Sequence, residues 1–442
     1  MPAYAKQPLA SVLTRVQDSV AIDPHETYRQ VTVRLFHKGV VLRGESVGSA
    51  IRTTRQWRVR QGQVLLSRID ARNGAIGIVP PGLDGAIVTN DFWAFAVKSE
   101  LASSAFLDAY FGTTEFVEAC KAASEGTTNR VRLQPERFLT IEVPLPYLDE
   151  QRRVVARIEQ LIAKIDQARH LRKTTRAETH ALWASALAAA FTPSENRCEA
   201  AEDASILLSK QAAFYKDTPR TNYNGAHPWE PAIPSDGIYR LPKDWVWTNL
   251  GSVLTHLVDC INDTPDFAAE RTRFLGLKST NIRPYKLDLS AQWFVTPEDF
   301  ERWNRREKPQ RGDIVLTREA PMGNACVLPD NVEVCLTQRL MLLRCDDSFV
   351  NRRYLLHYLN STHFKNQVME QCRGLTTPHI RVQDAPELRI PLAPLSIQNE
   401  IAVRLDGLQA RLGRLSLFQS ESSSELDALT PSILSRAFRG EL

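Results

Sequence analysis

Apolar residues recur at alternating steps of four and three along two long stretches of the chain. Val154, Ile158, Leu161, Ile165 and Ala168 carry the pattern first, and Ile401, Leu405, Leu408, Leu412 and Leu415 repeat it. This is the a/d seam of a coiled coil, a narrow stripe that one helix buries against another. Pro144, Pro146, Pro391 and Pro394 stand just before the two starts, where a missing N–H is harmless. The spacing predicts two helices of about forty-five residues, each roughly 65–70 Å long at 1.5 Å per residue.

The two stretches are copies. "PLPYLDEQRRVVARIEQL" begins at Pro144 and "PLAPLSIQNEIAVRLDGL" at Pro391, and the difference, 391 minus 144, gives an offset of 247. Gln151 then meets Gln398, Leu161 meets Leu408, Leu187 meets Leu434 and Phe191 meets Phe438. The duplication extends upstream: "GQVLLSRIDARNGAIGIVP" from Gly62 resembles "GDIVLTREAPMGNACVLP" from Gly312. Each reads as a β-hairpin, two short aliphatic strands broken at Gly74 or Gly323. Thr89 and Thr337, a helical run, and then "GTTNRVRL" or "GLTTPHIRV" follow in the same order. The architecture expected is α+β: α/β units at 1–143 and 241–390, spacer helices at 144–192 and 391–442, and a linker at 193–240 rich in Pro, Asn, Asp and Ser.

Composition adds little to this. Hydrophobic residues are 43% and charged residues 24%, the profile of a folded chain. The opening twenty residues hold no apolar secretion core and no eighteen apolar residues run together, so a cytoplasmic protein without a membrane span is expected. Seven scattered cysteines without a C-x-x-C pair suggest free, mostly buried thiols and no metal site. The net charge of +4 decides nothing, yet the first long helix is locally basic, with Arg152, Arg153, Arg157, Lys164, Arg169, Arg172, Lys173 and Arg176 against Glu159 and Asp166.

The motifs that carry chemistry are missing. No G-x-x-x-x-G-K-[ST] phosphate loop, G-x-S-x-G elbow or H-E-x-x-H pair occurs, and Pro80-Pro81 lacks the acid or amide of an adenine-methyltransferase turn. "LDEQ" at 148–151 reads as an acidic helix start rather than a helicase box. "SRIDARNG" at 67–74 reads as a turn whose arginines suit phosphate or guanine edges. "NDFWAF" and "DWVWTNL" read as core. The chain is expected to catalyse nothing by itself.

Two globular units, each ending in a "PLPxLxEQ"-like helix start, resemble the specificity subunit of a type I restriction-modification enzyme. "LPKDWVWTNLGSVL" from Leu241 is similar to the family's usual opening of a target-recognition domain, and "GDIVLTREAPMG" to its central strand pair. The first unit lacks that opening, and Ser396-Ile397 replaces the acid usual before Gln398. The resemblance implies two tandem target-recognition domains, each reading half of a split double-stranded DNA target. The two helices would pair as an antiparallel coiled coil that sets the unread gap. Two modification (methyltransferase) subunits using S-adenosylmethionine and restriction (motor-nuclease) subunits using ATP and Mg would dock on the chain, which holds no cofactor itself. The seam would be Val154, Ile158, Leu161, Ile165, Ile401, Leu405, Leu408 and Leu412. Candidate DNA contacts are Arg68, Arg72, Asn73, Asn90, Lys121, Thr128, Arg130 and Arg132 in the first unit. In the second they are Arg318, Gln338, Arg373, Thr376, His379 and Arg381, with Asn90 and Gln338 suited to an adenine edge. A stand-alone or anti-restriction DNA-binding protein, or a coiled-coil scaffold binding proteins, are the competing readings.

Overall fold

The computed structural model describes residues 4–125, 132–192, 203–215, 238–259, 263, 265–372 and 379–442. The chain divides into two compact units, Met1–Thr174 with Leu417–Leu442, and Thr175–Ser416. Each is larger than the globular span read from the sequence, since it takes in part of both long helices.

In the first unit an antiparallel four-stranded sheet runs in the order Leu13–Val16, Phe92–Val97, Val64–Ser67, Ile76–Ile78. The hairpin expected at 62–80 is its last pair, closed by a 3-10 turn at Ala71–Asn73 and by Gly74 at φ 75°. Val64 and Leu66 face a helical core built on Phe95, Phe106, Phe111, Phe116 and Phe138, while Leu65 faces a second cluster with Val31 and Val88. A strand covered on both sides needs no alternation, which is why "VLLS" is one apolar run. A five-stranded sheet, Asp18–Ala21, Arg55–Arg58, Ile87–Val88, Thr27–Val33, Val40–Val47, adjoins it and was not read from the sequence.

The second unit repeats the plan. Its four-stranded sheet runs His256–Asp259, Leu340–Arg344, Ile314–Thr317, Ala325–Val327. Ile314 and Leu316 face one core and Val315 another. Trp245 and Trp247 are buried, as Trp93 is in the first unit. The "LPxxW" segment leads into Val246–Asn249, which pairs with Arg389–Leu392; in the first unit Lys6–Pro8 pairs with Glu142–Pro144 in the same role. The same pairing thus opens both units, with the tryptophan motif beside it only in the second. Within the 193–240 span, helix Ala204–Tyr215 lends Ala204 and Leu208 to the second core.

The long helices are Leu148–Phe191 and Leu395–Phe438, 44 residues each, displaced by 247 at both ends. Their duplicated glutamine explains the shared start. Gln151 is fully buried; its Oε1 accepts from Ser103 N–H at 2.8 Å, and its Nε2 donates to Leu101 O at 2.9 Å and Pro146 O at 2.8 Å. Gln398 does the same with Asn351 N–H, Phe349 O and Ala393 O. Ser103 and Asn351 are the N-caps of helices Ser104–Phe111 and Arg352–Leu359, so each amide fastens a long helix to its own globular layer.

The eight seam residues are buried or half-buried. Val154 and Ile158 are buried, but in the first globular core, where Leu434, Ala437 and Phe438 join them. Ile401 and Leu405 are likewise buried in the second core with Leu187, Ala190 and Phe191. The helices run antiparallel within each unit, and in the first an ion pair, Arg169 Nη2 to Asp427 Oδ1 at 3.0 Å, links them. Ile165 is buried, Leu161, Leu408 and Leu412 are half-buried, and Leu415 is exposed. Each helix is anchored at both ends in a globular core.

Candidate nucleic-acid interface

Both units build the same corner. Where strand Val64–Ser67 ends, Arg68 N–H donates to Asp91 O at 2.8 Å, and Arg68 O accepts from Leu133 N–H at 2.9 Å. In the second unit Arg318 N–H donates to Arg339 O at 3.0 Å, and Arg318 O accepts from Ile380 N–H at 3.1 Å. The adjoining turns also match, Phe92 N–H to Thr89 O and Leu340 N–H to Thr337 O, both 3.1 Å. Backbone pairing thus brings Arg68, Asn90 and Arg132 to one place, and Arg318, Gln338 and His379 to another.

The side chains differ in what they have left to offer. Arg68 lies over the buried ring of Trp93, 4.9 Å from its centroid, with Arg15 at 5.3 Å from the same ring. Its Nε is buried without a hydrogen-bond partner. Arg72 and Asn73 sit half-buried on the 3-10 turn, and Asn90 is exposed beside Arg15, Gln17 and Trp57. Arg132 reaches Asp91 at 3.5 Å. Lys121 pairs with Glu118 at 2.7 Å on its own helix, so its charge is partly answered within the chain. Thr128 and Arg130 lie outside the described residues.

In the second unit Arg318 Nε donates to Gln338 O at 2.7 Å. Arg381 forms a two-nitrogen pair with Asp384 at 2.8 and 3.0 Å, which spends its fork locally. His379 is half-buried beside this corner, and Arg373 and Thr376 lie outside the described residues. A cavity of 260 Å³ opens here, lined by Lys278, Ser279, Thr280, Thr337, Gln338 and Arg339. Lys278, which sequence reasoning missed, points its amine at the rings of Trp293 and Phe267, 3.2 and 4.2 Å from their centroids. Partial burial lowers its basicity. Nothing in "GLKST" marks this lysine, because its two aromatic partners come from distant segments.

A second group also escaped the sequence reading. The hairpin joining Thr27–Val33 to Val40–Val47 sets Arg34, Phe36 and Lys38 on the surface and is tied by Phe36 N–H to Asn73 O at 2.8 Å. Phe36 and His37 both have left-handed backbones, φ 57° and 52°. Such residues cost on the order of 1–3 kcal/mol each. Among the described residues no group of acidic, histidine or cysteine side chains is arranged to hold a metal, and no helix is long and apolar enough to cross a membrane. The five described cysteines form no disulfide, and burial pushes the Cys120 and Cys326 thiols up to about 12, leaving them unreactive.

The profile of the type I restriction modification DNA specificity domain matches residues 23–174 and again 282–414. The chain is 22% identical over 388 residues to the specificity subunit of type I restriction enzyme EcoAI from Escherichia coli, covering 75% of this chain. It is 20% identical over 301 residues to the EcoBI specificity subunit from the same organism, covering 68% of this chain. It spans 64% and 58% of the length of these two relatives. The crystal structure of the HsdS subunit from Thermoanaerobacter tengcongensis shares the fold, with a TM-score of 0.62 at 23% identity over 100% of this chain and 98% of that one. A chain from a structural study of complex assembly and conformational transition in the type I R-M system gives 0.66 at 23% identity, covering 100% and 99%.

Proposed function

Because the chain belongs to the type I restriction-modification DNA specificity family, with two matched domains over more than half its length, we propose that it reads a two-part double-stranded DNA target, one part with each unit. The observation that carries this is the corner built twice, with Arg68 and Arg318 at equivalent strand ends and an amide, Asn90 or Gln338, beside each. Guanidinium and amide forks are the side chains that distinguish guanine and adenine edges.

The helices set the spacing of the two parts. At 1.5 Å per residue a 44-residue helix is about 66 Å long, against about 34 Å per turn of DNA. The helices also dock modification subunits. In the first unit Leu171, Leu417 and Phe418 are 58%, 62% and 68% exposed on helix surface, and in the second Val403 is 74% exposed. These side chains are the apolar surface on the helices that a protein partner would cover. The methyl donor S-adenosylmethionine is then held by those subunits, and ATP with Mg by a restriction subunit. This chain supplies recognition and no catalytic group.

The test is selection of a randomised duplex pool by the full chain together with the modification subunit that co-purifies with it. Enrichment of two short elements at one fixed gap, with log affinity falling steeply against log salt, is the expected result. A single uninterrupted element, or none, refutes the reading.

A further inference from the structure

The exposed hairpin tip of the first unit holds a conformation its residues do not favour. In the left-handed region a bulky side chain crowds the following carbonyl, yet Phe36 and His37 both lie there. Neighbours fix them: Phe36 N–H donates to Asn73 O and His37 N–H to Gly74 O, each at 2.8 Å. The imidazole turns inward, Nδ1 3.1 Å from Ile76 O and Nε2 3.7 Å from Asp108. Position 112 is glycine where a Cβ would stand 2.8 Å from that ring. With His37 pinned beneath, the Phe36 ring is turned out, 74% exposed.

A strained, solvated phenyl gives the fold nothing in return, and strain of this kind persists where the surface it creates is used. The surroundings point to the partner. Lys38 sets its amine 6.0 Å from the Phe36 centroid, Arg34 is exposed on the same turn, and the tip is tied to Asn73 beside Arg72. An apolar ring interleaved with cations suits a polyanion whose interior is stacked and apolar. The second unit has a partly similar turn with one left-handed residue: 248 positions after His37, Tyr285 has φ 67° and donates its N–H to Ala325 O at 2.8 Å. Its ring is also tucked inward, 5.2 Å from that of His357. The exposed residue before it is Pro284, and Lys286 follows as Lys38 follows His37. Phenylalanine and proline are both residues that wedge between base pairs.

We propose that Phe36 is a wedge that enters a base step of the DNA read by the first unit and stacks on the base it uncovers. This rests on the DNA-reading proposal above, and the test separates the two. The selected target duplex is labelled with 2-aminopurine at successive positions and bound by wild-type chain, Phe36→Ala and Phe36→Trp. The wild type is expected to raise fluorescence at one step; Phe36→Ala loses that rise and about tenfold in target affinity, keeps its affinity for unselected duplex, and melts as the wild type does. Phe36→Trp restores the signal. If a target is selected but Phe36→Ala matches the wild type in affinity and fluorescence, or instead releases a protein partner, the wedge is overturned and DNA reading stands. If no sequence is selected, both fall.

Discussion

The ring of Phe438 meets that of Tyr110 near edge-on with centroids 5.1 Å apart, and Phe191, 247 positions earlier, meets Tyr358 at the same 5.1 Å. Each long helix ends by filling a core other than the one it was fastened to at its start. Phe438→Ala is expected to cost about 3–5 kcal/mol and to loosen the first unit selectively, and Phe191→Ala to do so in the second. Hydrogen exchange resolved by peptide checks this: loss of protection spread evenly over both units would contradict it.

The fully buried Gln151 and Gln398 each satisfy one backbone donor and two carbonyls. Replacing either by alanine leaves those groups unpaired and is expected to cost about 2–4 kcal/mol. Urea unfolding measures it, and a change below about 0.5 kcal/mol would show that water takes over the clamp.

In the second unit His357 Nε2 lies 2.9 Å from Asp406 Oδ1, and Arg353 Nε lies 3.0 Å from both oxygens of the same carboxylate. Burial pulls the His357 imidazole down despite Asp406, so the unfolded chain binds the proton more readily. Stability from this group is complete above its unfolded value, near 6.5, and is lost as pH falls below it. Burial alone would raise the Asp406 carboxyl, but the bonds from His357 and Arg353 hold it well below the usual carboxylate range. That contribution is present above about 3.9 and is lost in stronger acid. The melting temperature of the second unit should fall between pH 7 and 5 and again below 4. His357→Gln should flatten the upper step; an unchanged profile would rule the imidazole out.

Arg318→Ala is expected to weaken target binding by about 1–3 kcal/mol and to relax only the half-site of the second unit. Repeating the duplex selection with the variant decides this. Degeneracy in both halves, or in neither, would remove Arg318 from base reading.

Leu417→Ser with Phe418→Ser changes two exposed side chains and should leave the melting temperature within about a degree or two, since surface substitutions seldom exceed 0.5 kcal/mol. Co-purification of the modification subunit should nevertheless be lost. Retention of that partner would move its docking site elsewhere.

Much of this frame is legible in the residues because it is written locally and twice. Helix limits follow from the period and the prolines, and the hairpin at 62–80 from an aliphatic run with a turn glycine. The clamp was not legible, since Gln151 works through Ser103 and Leu101, some fifty residues upstream. Nor could spacing show which cations are already engaged. Lys121 with Glu118 and Arg381 with Asp384 are short-range pairs that three-residue spacing permits without requiring. The five-stranded sheet was missed because its short strands, such as "RQWR", carry little apolar alternation, and its order threads Ile87–Val88 between segments far apart in sequence.

Leu434, Ala437 and Phe438 lie in the same core as Phe106 and Val154, and this sets a timetable for synthesis. A ribosome making 5–20 residues per second needs on the order of 13–50 s to travel from residue 174 to residue 434. Through that interval the first unit waits with one wall of its interior open, its phenylalanines exposed to whatever else is in the cell. Closure of that core therefore waits for the Leu434–Phe438 segment however early the strands of the unit emerge.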